Sequence, residues 1–217
     1  MRPMNQDEQI EARYAGADLD ASELDHSIWA DTPRVLITHY WSGEVAPPSR
    51  HAEAQLVWSE AAFNVRFAYP QKEPLVVSSN PQTSSKTLEL WDRDVCEVFI
   101  APDPREPNSY FEFEAAPTGE WVDLAIRITA RRRETDFDFN SGMSSAARIE
   151  GERIVVGIRI PWSERIPKPR PGDKWRVNLF RCVGSDPTRG YLAWHPTHTP
   201  EPSFHAPEVF GSLIFVE

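Results

Sequence analysis

The sequence predicts an all-β protein, an antiparallel β-sandwich of jelly-roll or immunoglobulin-like type with a short N-terminal helix and long proline-rich loops. Three observations carry that expectation. Apolar and polar residues alternate in about ten short runs, each set off from the next by turn residues. No stretch keeps a helical period for long. Prolines number 20 against 10 glycines, a balance that favours loops and short strands over helix. With 217 residues, 40% of them apolar, the chain can fill one core, and sandwiches reach this length without dividing. Residues 1–17 are polar and read as an N-terminal extension ordered only by docking, which leaves 18–217 as the single domain.

The short helix is expected after Asp20 or Ser22, either of which can cap, where Leu24, Ile28 and Trp29 recur at helical spacing. Residues 35–40 and 52–59 alternate as strands. W-S-E-A-A then turns the chain into 63–69, where Phe63, Val65 and Phe67 share a face. Residues 70–85 form a loop rich in proline and serine, with one weak strand at 75–78. The stretch 91–123 organises the rest. In its first strand Cys96, Val98 and Ile100 fall on one side, with Val95, Glu97 and Phe99 on the other. In its second, Phe111, Phe113 and Ala115 share a side, and Tyr110, Glu112 and Glu114 take the opposite one. Three prolines between the two exclude a regular element, and P-T-G-E turns into a third strand at 121–129. That is a β-meander. Residues 131–145 read as a long excursion outside the core. Residues 146–150 and 153–160 form a hairpin through Glu150 and Gly151, one helical turn is expected within 160–167, and strands at 175–183, 191–195 and 213–216 close the chain.

Charge and motifs exclude several function classes. A net charge of −10 argues against nucleic acid or an anionic membrane as partner and fits a neutral or cationic ligand. No apolar run approaches the roughly 20 residues that span a bilayer. No signal peptide is visible at the N-terminus, so the sequence as given reads as cytoplasmic, with the compartment otherwise unknown. Cys96 and Cys182 each fall in a strand and read as buried free thiols, since two cysteines make no disulfide framework. His195, His198 and His205 could hold zinc, but their spacing fits no ligand pair on a helix and prolines stiffen the loop between them. Asp92, Asp94, Asp103 and Glu106 lack the D-x-[DN]-x-[DN]-G string of a calcium loop, so structural calcium has no support and no cofactor is expected. The arginines 131–133 lie beside Glu134, Asp136 and Asp138 and read as a solvated, self-neutralising face. There is no G-x-S-x-G elbow, no H-E-x-x-H and no phosphate-cradling glycine loop.

The unusual feature is where the acids sit, because Glu97, Glu112 and Glu114 interrupt the strands themselves. Carboxylates on adjacent strands could serve a glycoside-processing enzyme, using Glu97 with Glu112 or Glu114, if one is the acid and the other the nucleophile or base. The aromatic residues favour a non-catalytic reading. Trp91 sits at a strand entrance beside Asp92, where a large ring need not be buried, and Trp194 and Phe204 flank the histidine loop. A sugar ring has apolar C–H faces and an equator of hydroxyls. Flat aromatic faces match the first, and carboxylates and arginines match the second. Glu97, Glu112 and Arg181 are the strand residues that supply this polar half. Packing alone accounts for Trp29, Trp58, Trp162 and Trp175, and an arginine across the sheet from Glu97 would make that acid purely structural.

The run W-D-R-D-V-C-E-V-F-I, followed by Y-F-E-F-E-A-A-P-T-G-E-W-V-D, resembles the core of family 9 carbohydrate-binding modules and of the wider DOMON-like sandwiches. V-V-G-I-R-I-P-W, G-D-K-W-R-V-N-L-F-R and F-H-A-P-E-V-F-G-S-L-I-F are similar to the family's later strands in order, so the resemblance covers 18–217. It implies a sandwich that holds the terminal ring of a mono- or oligosaccharide between two aromatic side chains, in proteins of carbohydrate breakdown. By this resemblance Trp91 matches the first ring and Glu97 a polar ligand contact. Phe204 matches the second ring, which is usually a tryptophan. Glu112 stands where the modules have an arginine, a departure that reverses a charge in the groove. Arg181, Trp194 and His205 complete the expected lining. The DOMON group implies another reading, haem held by Met143 and a loop histidine, and a third is a protein-interaction domain with a residual groove.

Overall fold

In a computed structural model of the chain, residues 9–217 are described. The strands run in the order β1 (Gln9–Tyr14), β2 (Val35–Ile37), β3 (His39–Tyr40), β4 (Ala52–Trp58), β5 (Ala62–Pro70), β6 (Val95–Ala101) and β7 (Ser109–Ala115). They continue with β8 (Trp121–Ile128), β9 (Arg133–Asp136), β10 (Ser144–Glu150), β11 (Arg153–Pro161), β12 (Lys174–Val183), β13 (Gly190–Ala193) and β14 (Gly211–Val216), and α1 (Ile28–Asp31) lies between β1 and β2. The main path of hydrogen-bonded neighbours is β10-β11-β5-β4-β1-β14-β12-β6-β7-β8-β9.

This one sheet folds into two layers because its alternating strands carry an apolar face that must be covered. Leu56, Phe63, Val65, Phe67, Val156 and Ile158 from one half meet Val98, Ile100, Phe113, Val177 and Leu179 from the other in the main core. The opposite face of β12, β6, β7 and β8 is also apolar. Phe99, Tyr110, Leu124, Ile126, Phe180 and Cys182 form a second cluster there, roofed by Leu90, Phe204 and Phe210 from loops. A third layer built from loops therefore lies over one side of the sandwich, and the site sits under it.

Several local expectations change. The sheet is mixed, because β1 runs parallel to both β14 and β4. Residues 9–14, read as part of an extension, dock as a strand with Ile10 and Ala12 in the core. The helix begins at Ile28 with Ser27 at its N-cap position, whereas Asp20 and Ser22 close a turn of their own, Ser22 N donating to Asp20 Oδ1 at 2.9 Å. Residues 35–40 divide into two short strands with different partners. Residues 75–78 make no strand. The excursion 131–145 supplies β9, and its Phe139 and Met143 enter the main core. No helical turn follows β11, where Ser163 N donates to Ile166 O at 2.8 Å and the chain bends instead.

Candidate functional site

Strand register brings three carboxyl groups together. Across β6 and β7, Glu97 stands opposite Glu114 and Phe99 opposite Glu112. On the other side of β6, Phe180 stands opposite Glu97. The two-residue period sends all three acids to the loop-covered face, and one oxygen from each lies within 4.8 Å of the others. Glu97 is 2% exposed, Glu112 3% and Glu114 0%. The Cys182 thiol donates to Glu97 Oε1 at 3.4 Å. Among the described residues no donor reaches Glu112 Oε2 or either oxygen of Glu114. Burial is the main cause pushing all three above the usual carboxylate range, and mutual repulsion pushes Glu97 and Glu114 further. Arg189 opposes this at Glu97 and Arg133 at Glu112. The group therefore holds protons at pH values where ordinary carboxylates have lost them.

Glu97 and Glu112 open onto a slot of about 320 Å³, also lined by Trp91, Phe99, Arg133, Cys182, Tyr191, Phe204 and His205. Trp91 is partly exposed in the one-turn 3₁₀ segment Leu90–Asp92, whose Leu90 is fully buried. Arg189 fixes that turn. Its guanidinium donates to Trp91 O at 2.8 Å, Arg93 O at 2.6 Å and Gly184 O at 2.8 Å. Phe204 stacks face to face on Phe180, with centroids 4.0 Å apart and planes 12° apart. Its loop is held by Thr197 Oγ1 donating to Ser203 O at 2.8 Å and by Trp41 Nε1 donating to Thr199 O at 3.1 Å. His205 shares a hydrogen bond of 2.8 Å with Tyr110 through Nδ1. Burial, helped by Arg133, lowers its pKa to about 3, so the imidazole is neutral at physiological pH.

Of the residues singled out in the sequence, Trp91, Glu97, Glu112, Phe204 and His205 line this one slot. Arg181 does not. Its neighbours Phe180 and Cys182 face the slot, so alternation turns Arg181 to the opposite face. There it lies 4.0 Å over the Tyr69 ring and donates to Arg50 O and Gln71 Oε1, each at 2.7 Å. Trp194 is also elsewhere, against the main core and over Gly211. The arginine of the slot is Arg133, in the run read as a solvated face, and its signal was its alternation with Thr135 and Phe137, which also line the slot. Tyr191 was missed because nothing local ties it to Trp91. Met143 is buried in the main core, on the other side of the sheet from His205, one of the loop histidines of the haem reading. The three histidines also part company: His198 Nδ1 is bonded to Ser42 O, His195 Nδ1 to Val209 O and His205 to Tyr110. A larger groove of about 930 Å³ runs beneath the 102–106 loop, where Arg105 pairs with Asp103 and Arg165 with Asp136.

The chain belongs to the carbohydrate family 9 binding domain-like family, whose model matches residues 20–217. An extracellular protein of Arthroderma benhamiae is 25% identical over 140 residues, 59% of this chain and 63% of its own length. The chain spans about three-fifths of the length of the curated relatives it matches. Among solved structures, an inferred carbohydrate-binding protein of Bacteroides uniformis superposes with a TM-score of 0.74 at 16% identity, covering 96% of this chain and 99% of that one. A family 9 module of Caldicellulosiruptor kristjanssonii in complex with cellotriose gives 0.63 at 18% identity, covering 96% and 93%. At these identities the structural likeness shows the fold.

Proposed function

We propose that the chain binds carbohydrate without catalysis, seating one sugar ring in the slot against Trp91. In this reading Phe204 backs the seat, and Glu97, Glu112 and Arg133 meet the hydroxyls. The observation that carries it is convergence: aromatic and acidic residues from the 90–92 turn, β6, β7 and the 203–205 loop line one cavity. Its volume of about 320 Å³ lies at the small end of the roughly 300–1,000 Å³ typical of ligand sites, which supports a single ring over an extended chain. The Caldicellulosiruptor kristjanssonii module, solved with cellotriose and with glucose, lends the same direction. The protonated tendency of the acids suits hydroxyls too, since a carboxylic acid both donates and accepts.

Calorimetric titration of glucose, cellotriose and a panel of mono- and disaccharides tests this. Saturable binding is expected, weakened at least about tenfold in Trp91→Ala, a loss of about 1.4 kcal/mol. Arg165→Ala, in the larger groove, is expected to leave it unchanged. Wild-type affinity in Trp91→Ala, or no binding of any sugar by the wild type, overturns the reading.

One observation favours a second reading. Retaining glycosidases hold their two carboxyl groups about 5 Å apart, close to the 4.8 Å limit within which these acids gather. However, burial drives all three in the same direction, whereas such an enzyme needs one group protonated and the other ionised. Turnover of an aryl glycoside that disappears in Glu97→Gln would reverse the preference.

A further inference from the structure

Burial of an acid is ordinarily answered by donors, and elsewhere in this protein it is. Asp94 accepts from Gly184 N at 2.7 Å on one oxygen and from Val76 N and Gln71 Nε2 on the other. Glu120 accepts from Arg93 at 2.9 Å and Thr118 at 2.8 Å. Asp123 accepts from Ser141 N and Oγ, and faces Lys86 Nζ at 2.8 Å. The Glu97, Glu112 and Glu114 cluster breaks this rule. The fully buried Glu114 has two oxygens that meet no donor among the described residues, one of them within the cluster, and Glu112 has one such oxygen. The hydrogen bond open within the cluster is one that Glu114 donates to Glu112 when Glu114 holds the proton, and it leaves the other Glu114 oxygen without a partner. A buried polar atom without a partner costs about 1–3 kcal/mol, more when charged, so the sheet holds here an arrangement that the chain by itself leaves unsatisfied.

We propose that Glu97, Glu112 and Glu114 form a site for a hard divalent cation, of the calcium or manganese class, at the floor of the slot. The donor set is oxygen only, which suits these ions over softer ones. Three oxygens within 4.8 Å of one another leave a point no more than about 2.8 Å from each, so a shift of a few tenths of an ångström brings all three to the roughly 2.3–2.6 Å of calcium. Three carboxylates on two paired strands are placed by register, so little ordering is needed to bind. Glu97 and Glu112 open to the slot, which leaves the remaining coordination positions to water. The proposal shares Glu97 and Glu112 with the sugar reading but is tested separately, because it rests on the orphaned oxygens and not on the aromatic walls.

The test uses the full chain stripped with chelator and desalted, titrated separately with Ca²⁺, Mn²⁺, Mg²⁺ and Zn²⁺ by calorimetry and followed by thermal melting. One Ca²⁺ or Mn²⁺ per chain is expected, with a melting temperature that rises with ion concentration as binding to the native state requires. Glu114→Gln should weaken the ion at least tenfold while melting higher than the wild type in chelator, since one desolvated acid has gone. Asp103→Asn, on an exposed loop, should change neither. If Glu114→Gln does not fold, Glu97→Gln, at the slot wall, carries the same comparison. Failure of the wild type to take up any of the four ions at millimolar concentration overturns the proposal, and so does undiminished binding in the glutamine variants.

Discussion

Arg50 shows how this protein treats a charge it buries. The residue is 8% exposed, and Glu73 answers its guanidinium with two hydrogen bonds, Nε to Oε1 at 2.6 Å and Nη2 to Oε2 at 2.7 Å. Those bonds hold the Glu73 carboxyl below its ordinary range against the opposing effect of desolvation. An unfolded glutamate titrates near about 4.3, so below that pH the unfolded chain binds a proton that the folded one still refuses. The pair's contribution is therefore complete above that value and is lost as pH falls through the lower, folded one. Glu73→Gln is expected to cost about 1 kcal/mol at pH 7, and the gap between variant and wild-type melting temperatures should close between about pH 5 and pH 3. A gap that stays constant over that range would show that the pair's charge contributes nothing. Arg181, buried with four protein acceptors around it, follows the same rule by another route. Its role was not legible in the sequence because alternation alone does not say which of two buried faces is a slot.

At the scale of elements, the alternating runs were legible and the contacts between distant segments were not. The meander at 91–123 showed its two faces because apolar and acidic residues keep step over six or seven positions. The slot's second wall comes from a loop with no period, joined to β7 through the Tyr110–His205 bond across 95 residues of sequence. β1 was hidden for a different reason: Ile10 and Ala12 do alternate, but Gln9, Glu11 and Arg13 between them give the segment the composition of a surface tail. Gly157 in the middle of β11 is a similar case, since its meaning lies in a segment far away. A Cβ there would come within 2.3 Å of the Ala21 carbonyl oxygen and 2.8 Å of Leu24 Cδ2. Backbone cannot rotate aside as a side-chain tip can, so the crossing segment at 21–24 would have to lift from the sheet. Gly157→Ala is expected to lose about 1–3 kcal/mol, roughly 2–4 °C in melting temperature for each. Unchanged stability would mean that the crossing is loose. Ion uptake at the Glu97, Glu112 and Glu114 cluster, on the other half of the sandwich, should persist in this variant.

At the scale of the molecule, β1 is the strand on which closure depends. One half of the sandwich ends at β4 and the other at β14, and β1 pairs with both, in parallel, over residues 9–14. Without it, β4 and β14 would present unpaired backbone at two facing edges, and such edges recruit other chains. Parallel pairing between the first strand and the last also closes the longest loop the fold contains, so it is a contact of high sequence separation that forms late. Deleting residues 1–14 is expected to leave the antiparallel strands and the 90–92 turn intact while lowering the melting temperature by roughly 5–10 °C, about 2–3 kcal/mol at this size. Size-exclusion chromatography should show the shortened chain self-associating with concentration, as edge pairing requires. If the truncated protein elutes as the full chain does and melts at the same temperature, β1 is an accessory strand and the two layers are held by the main core alone. Loss of all sheet structure would instead make β1 part of the folding unit, so that the domain begins before residue 18.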